Sequence, residues 1–86
     1  MSRRRRPDVV VYTRVGCGLC RQAERLVAAE ARRAEVRHVD IDVDPDLVER
    51  YGVRVPVVCV DGHEVAELQV EPGQVRRAVR AARRGR

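Results

Sequence analysis

The chain of 86 residues contains no Trp and no Phe, and its only aromatic residues are Tyr12 and Tyr51. Single-stranded nucleic acid usually stacks on aromatic side chains, so we do not expect nucleic acid to be a partner. No apolar run approaches the roughly 18 residues of a membrane-spanning helix, so no membrane partner is expected. The apolar run that follows the N-terminal arginines is too short for a signal peptide, which favours a cytoplasmic protein.

Lysine is also absent, so all 18 basic residues are arginine. The net charge of +5 is unevenly distributed, because residues 1–6 hold four Arg and residues 76–86 hold six, without an acidic residue in either segment. The segment between them, 7–75, carries eight Arg and all 13 acidic residues, a net charge of −5. We predict a charged, disordered tail at 1–7, a single folded domain at 8–84, and solvated Arg-rich ends.

Cysteine is scarce, and two of the three cysteines, Cys17 and Cys20, are separated by only two residues. In a reducing compartment such a pair is more often catalytic or metal-binding than structural. Cys59 lies within an apolar run and is predicted to be a small buried hydrophobic residue.

Apolar periodicity, with Gly and Pro as breakers, predicts the element order βαβαββα. This order indicates an α/β fold with a four-stranded mixed sheet flanked by three helices. The predicted strands are 9–13, 36–43, 55–60 and 64–68, and the predicted helices are about 18–33, 45–51 and one that opens at Pro72.

Local signals support three of these boundaries. The second strand alternates, with Val39, Ile41 and Val43 on its apolar face, which is typical of a strand at a sheet edge. Asp44 and Pro45 form a helix start, with Asp as N-cap and Pro at the first helical position. The pair Asp61-Gly62 predicts a hairpin turn between the last two strands.

The cysteine pair lies where a Gly-containing turn leads into the first helix. Residues three apart on a helix have Cβ atoms ~5–6 Å apart, which suits a disulfide. Cys17 falls at the helix N-terminus, where free N–H groups favour a thiolate, whereas Cys20 lies inside the first turn and is shielded. We therefore expect Cys17 to attack a disulfide and Cys20 to resolve the mixed disulfide. The flanking Arg14 and Arg21 would stabilise the thiolate further.

Three other interpretations stay open at this point. In the first, the two cysteines are reduced and have no function. A zinc or iron–sulfur site would need further ligands, from Cys59, His38, His63 or a second chain, although none of these lies in a second metal-ligand motif. A non-catalytic binding domain is the third interpretation.

Several segments together resemble a glutaredoxin-like protein of the thioredoxin superfamily. The resemblance covers about residues 9–68 and rests on Tyr12-Thr13-Arg14-Val15-Gly16-Cys17-Gly18-Leu19-Cys20, Val39-Asp40-Ile41-Asp42, Tyr51-Gly52-Val53-Arg54-Val55-Pro56-Val57 and Asp61-Gly62. It implies a thioredoxin-like fold and a dithiol–disulfide oxidoreductase with Cys17 and Cys20 as catalytic residues.

The resemblance also implies a cis bond between Val55 and Pro56, in a loop that packs beside the cysteines. Backbone groups of Val55 would then bind the substrate. We assign substrate contacts to Arg14, Gly18, Leu19, Val55 and Pro56, and no metal.

Two departures from the glutaredoxin pattern concern glutathione. Gly18 and Leu19 replace the usual Pro and Tyr of the active site, and the segment from Leu68 to Gly73 lacks the Gly-Gly-x-Asp-Asp sequence that grips glutathione in that family. We expect no bound cofactor and keep glutathione as one candidate reductant beside a dedicated reductase. The expected substrates are protein or low-molecular-weight disulfides.

Overall fold

The valine-rich first strand forms the inner part of a small mixed sheet. In the computed structural model, which describes residues 6–85, the elements follow the predicted order. They are β1 (Asp8–Thr13), α1 (Gly18–Glu30), β2 (Glu35–Asp40), a 3₁₀ turn (Ile41–Val43), α2 (Pro45–Tyr51), β3 (Val57–Val60), β4 (His63–Glu67) and α3 (Gln74–Arg84).

The sheet has the strand order β2-β1-β3-β4. Strand β1 pairs in parallel with β2 and antiparallel with β3, and β3 pairs antiparallel with β4. The predicted α/β class, the four-stranded mixed sheet, its three helices and the edge position of β2 are thus confirmed.

Both faces of the sheet are covered, because successive side chains of a strand point to opposite faces. Val9 and Val11 pack with residues of α1 and α3, including Val27 and Val79. Val10 belongs to a second cluster on the other face, which we call the α2-side cluster. Its members are Val10, Cys20, Ile41, Tyr51, Val55, Val57 and Cys59, with Tyr12, Cys17, Val39, Leu47 and Val48 packed against them.

The second strand ends three residues earlier than the alternation predicts. The Asp40 carboxylate accepts a hydrogen bond from the Asp42 N–H at 2.9 Å and so caps a 3₁₀ turn. Such a local side-chain bond competes with strand pairing. Ile41 is still buried, but Val43 is 75% exposed, so its predicted place on the apolar face was wrong.

The predicted helix cap and hairpin turn are confirmed. Asp44 caps α2, accepting from the Asp46 N–H at 2.9 Å, and Pro45 opens the helix. Asp61 and Gly62 both have positive φ angles, 50° and 84°, as a tight two-residue hairpin requires.

Other predicted boundaries also need correction: β3 begins at Val57 rather than at 55, and α3 begins at Gln74 rather than at Pro72. Helix α1 ends at Glu30 rather than near 33, with Ala31 as its C-cap. Pro7, which we placed in the disordered tail, is fully buried, and its carbonyl accepts from the Glu35 N–H at 2.9 Å. Residues 1–5 of the predicted tail lie outside the described residues. Within residues 6–85, none of the helices has the length and apolar character needed to cross a membrane.

Candidate active site

Cys17 and Cys20 are joined by a disulfide at the start of α1, with their Cα atoms 5.2 Å apart. Cys17 is the N-cap residue, and its Sγ accepts a hydrogen bond from the Cys20 N–H at 3.1 Å. Cys17 is half-buried, whereas Cys20 is completely buried. The outer sulfur therefore belongs to Cys17 and the inner sulfur to Cys20, as the sequence predicts.

The turn that precedes the cysteine pair is exposed to solvent. Gly16 has a φ angle of +80°, a conformation that L side chains rarely adopt, and it redirects the chain from β1 into α1. Val15 is 79% exposed and Leu19 is 41% exposed, although both side chains are apolar. Gly18 is also exposed. The surface beside Cys17 is thus partly apolar and open.

The loop that precedes β3 contributes Val55 to the cluster that contains Cys20. The Val55–Pro56 peptide bond is cis. Val55 belongs to the α2-side cluster together with Cys20, and Cys17 packs against that cluster. The cis bond is the one that the resemblance implies, and Val55 shares a hydrophobic cluster with the cysteine pair.

The backbone of this loop is hydrogen-bonded on both sides of Val55 but not at Val55 itself. The Leu68 N–H donates to the Pro56 carbonyl at 2.8 Å and to the Arg54 carbonyl at 3.2 Å. Within residues 6–85, neither the N–H nor the C=O of Val55 forms a hydrogen bond. An extended segment of another molecule would find one donor and one acceptor there.

Both arginines that flank the pair are held by other groups. The Arg14 guanidinium donates to both carboxylate oxygens of Asp42, at 2.8–3.1 Å, and to the Gly52 carbonyl at 3.3 Å. Arg21 donates to Thr13 Oγ1 and to Glu24 Oε2, both at 2.9 Å. Each positive charge near the cysteines thus has a carboxylate partner, which the sequence did not predict.

Arg14 and Asp42 also alter each other's titration. The hydrogen bond from Arg14 lowers the pKa of Asp42 below its ordinary value, and the same bond raises the pKa of Arg14. This pair joins the β1–α1 turn to the 3₁₀ turn, and the bond to Gly52 adds the end of α2. Arg14 therefore ties together three segments around the cysteines.

Sequence reasoning missed Arg54, which anchors the loop before Val55. Its guanidinium donates to Glu64 and Glu67 of β4, at 2.8–3.0 Å, and it lies 5.5 Å from the centre of the Tyr51 ring. The hydrogen bonds that Arg54 donates to Glu64 and then to Glu67 raise its pKa. The hairpin signal at residues 61 and 62 offered a clue, because it folds β4 back toward the start of β3.

Both tyrosines pack in the α2-side cluster that contains Cys20. The rings of Tyr12 and Tyr51 stack with their centres 4.2 Å apart. Burial raises the pKa of the Tyr51 hydroxyl and also that of the Cys59 thiol. Cys59 is buried in the same α2-side cluster as Cys20, so its predicted character as a small buried residue is confirmed.

The ligands that a metal site would need do not come together. In the part of the chain that the structure describes, no group of three or more His, Cys, Asp and Glu side chains is placed to hold a metal ion. His38 and His63 are both exposed on strands β2 and β4. Within one chain, the residues that the zinc interpretation named are therefore not assembled.

Comparison with known proteins identifies a matching family and several similar sequences. The model of a family described as Glutaredoxin-like domain (DUF836) matches residues 8–80. An uncharacterized protein of Mycobacterium tuberculosis, Rv0508, is 35% identical over 78 residues, which are 83% of this chain and 80% of that protein. The uncharacterized protein Mb0520 of Mycobacterium bovis matches with the same values.

Two solved structures are also similar. The structural-genomics protein XcR50 of X. campestris has a TM-score of 0.71 and 32% identity, over 85% of this chain and 96% of that one. The protein SA0789 of Staphylococcus aureus, whose function is unknown, has a TM-score of 0.57 and 15% identity, over 90% of this chain and 91% of that one. The second likeness concerns the fold alone.

Proposed function

Because this chain belongs to the glutaredoxin-like domain family (DUF836), we propose that it is a dithiol–disulfide oxidoreductase with the redox centre Cys17-Gly18-Leu19-Cys20. The observation that carries the proposal is the Cys17–Cys20 disulfide at the start of α1, with one sulfur accessible and the other buried. Cys20 shares the α2-side cluster with Val55, and Cys17 packs against that cluster.

The reaction begins with the dithiol form. The Cys17 thiolate attacks one sulfur of a substrate disulfide, the substrate S–S bond breaks, and the other substrate sulfur leaves as a thiol after taking up a proton. The Cys20 thiolate then attacks the Cys17 sulfur and releases the second substrate thiol. The substrate disulfide gains two electrons and two protons, and the protein is left with the Cys17–Cys20 disulfide.

The environment of Cys17 favours this role. The Cys20 N–H donates to its sulfur at 3.1 Å, and the N-terminus of a helix stabilises an anion. The inner sulfur of Cys20 is shielded from solvent, so an outside disulfide meets Cys17 first. Arg14 and Arg21 are both paired with carboxylates, so we propose that they position the segments around Cys17 rather than stabilise its thiolate directly.

Substrate contacts are proposed for the groups that surround the sulfur. The free backbone N–H and C=O of Val55 would pair with an extended substrate segment, next to Pro56. Gly18 leaves space beside Cys17, and the exposed Leu19 offers an apolar contact. Arg14 is proposed to hold the neighbouring turns in place. The exposed apolar side chains favour a protein disulfide over a small polar one.

The oxidised protein needs an electron donor to return to the dithiol. We propose that a reductase or glutathione supplies the two electrons, in the cytoplasm, where thiol pools are kept reduced. Recognition of glutathione is the less supported route, because the segment from Leu68 to Gly73 lacks the family's glutathione-binding sequence.

The proposal is tested by measuring the reduction of insulin disulfides by the pre-reduced protein. Cys17→Ser is expected to lower the rate by about 10³-fold or more, because the thiolate is the nucleophile. Cys59→Ser is the matched control, since it also removes one thiol, and it should keep the native rate. Cys20→Ser should still attack but accumulate a mixed disulfide, visible as added mass.

A native rate for Cys17→Ser would overturn the assignment. The electron donor is separated in the same assay by offering glutathione with glutathione reductase in one arm and thioredoxin reductase in the other. Turnover of the Cys59→Ser variant in only one arm identifies the donor.

A further inference from the structure

An open groove lies between α3 and the end of α1 that is farther from the cysteines. Its volume is about 420 Å³. Arginine dominates its walls, and we call its five arginines the arginine cluster: Arg32, Arg33, Arg76, Arg80 and Arg83. The other lining residues are Ala29, Glu30 and Val79.

The members of this cluster come from two segments that are far apart in the sequence and adjacent in the fold. Arg76, Arg80 and Arg83 follow each other at helical spacing on α3, so they share one face of the helix. Arg32 and Arg33 come from the turn after α1. Glu30 joins the two segments, because its carboxylate accepts from the Gly73 N–H at 2.7 Å and from the Arg76 N–H at 3.0 Å.

The positive charge of the cluster is not balanced internally. The ion pairs that the structure shows within residues 6–85 involve Arg6, Arg14, Arg21 and Arg54, and none of them involves the cluster. Among the described residues, Glu30 is the only carboxylate that lines the groove, and both its oxygens already bind backbone N–H groups. Gathering like charges destabilises the folded chain, and a bound anion would offset that repulsion.

We propose that the arginine cluster binds a small molecule that carries two or more phosphate groups. A volume of about 420 Å³ lies within the range of ordinary small-ligand sites. A phosphate carries more charge than a carboxylate and offers three acceptor oxygens, and the planar guanidinium binds it through two parallel hydrogen bonds.

The shape and the aromatic content argue against a polymer. Side chains from two segments converge on one concave site rather than following a line. Single-stranded nucleic acid also needs stacking partners, and both tyrosines pack on the α2 side of the sheet, away from α3. A compact oligophosphate fits these features better than an extended polyanion does.

The test is a calorimetric titration of the full-length protein with inorganic tripolyphosphate at low salt. We expect saturable binding of one ligand per chain, with an affinity that falls as salt is added. Arg80→Gln and Arg33→Gln should each weaken binding about tenfold, the usual effect of losing a charge-assisted hydrogen bond. Arg25→Gln is the matched control, because Arg25 is exposed on α1 but does not line the groove.

Four outcomes would overturn the proposal: no saturable binding, a stoichiometry above one, an equal loss of affinity in Arg25→Gln, or tighter binding of duplex DNA or polyglutamate than of tripolyphosphate. Circular dichroism of each variant checks that it is folded. Cys17→Ser should bind tripolyphosphate as the native chain does, so the result is independent of the proposed redox function.

Discussion

The arginines at the two ends of α1 differ in whether their guanidinium groups are paired with carboxylates. Near the cysteines, Arg14 is paired with Asp42 and Arg21 with Glu24, each at an N–O distance below 3 Å. At the far end, the five members of the arginine cluster line one groove, and within residues 6–85 their guanidinium groups form no ion pair with a carboxylate. The first arrangement fixes loops, and the second leaves charge available to an outside anion.

The difference explains how one small sheet can support two kinds of site. A thiol–disulfide centre needs accurate placement of two sulfurs and one loop, and paired charges restrict the surrounding turns. An anion site needs unpaired positive charge, and it tolerates mobile side chains. The cysteine end should therefore respond mainly to packing, and the arginine cluster mainly to charge and salt.

The largest expected effect tests the packing at the cysteine end. Ile41→Ala should lower the free energy of unfolding by about 2–5 kcal/mol, because it opens a cavity in the α2-side cluster that contains Cys20 and Val55. Urea denaturation of the oxidised protein measures the change.

The matched control is Val43→Ala, in the same 3₁₀ turn. Val43 is 75% exposed, so the change should stay within about 0.5 kcal/mol. An equal loss in both variants would show that the turn itself, rather than the buried side chain, supports the site.

A smaller effect concerns the exposed pair Arg14–Asp42. The native pKa of Asp42 is lowered by the hydrogen bond from Arg14, so the unfolded chain binds the proton more readily than the native one. The stabilising contribution is therefore present above about pH 4 and is lost as the pH falls through the lowered native pKa.

Asp42→Asn should accordingly make the protein less stable near neutral pH and reduce the loss of stability on acidification. Thermal unfolding followed from pH 7 to pH 2 measures both changes. Glu49→Gln removes one exposed carboxylate of α2 and serves as the control. If both variants have the same acid profile, the pair with Arg14 does not contribute to stability.

Local chemistry explains which parts of the fold were predictable. The caps and turns at Asp44 and Asp61 depend on neighbouring residues, so the sequence indicates them directly. Val43 was misplaced because the Asp40 carboxylate caps the next turn and outcompetes strand alternation. The arrangement of Cys17 with the Val55–Pro56 loop came from the resemblance, since periodicity alone does not bring these segments together.

The charge pattern was the least predictable part. Arg14 and Asp42 are 28 residues apart, and Glu30 meets Gly73 over 43 residues. Composition showed that the last segment is rich in arginine, which we interpreted as a solvated end. Only the packing of α1 against α3 shows that Arg32 and Arg33 face the same groove as the helix α3 arginines.

The smallest expected effect contrasts the two ends directly. Arg80→Gln should stabilise the protein at low salt, because Arg80 has like-charged neighbours four residues away at Arg76 and Arg84, and each such pair costs about 0.2–0.5 kcal/mol. The gain should shrink near 1 M salt, where the Debye length is about 3 Å. Arg14→Gln should act in the opposite direction, since it leaves Asp42 without its partner. Urea midpoints at both salt concentrations measure these changes. If Arg80→Gln destabilises the protein at low salt, the cluster is held by contacts within the chain, and its charge is not free for an anion.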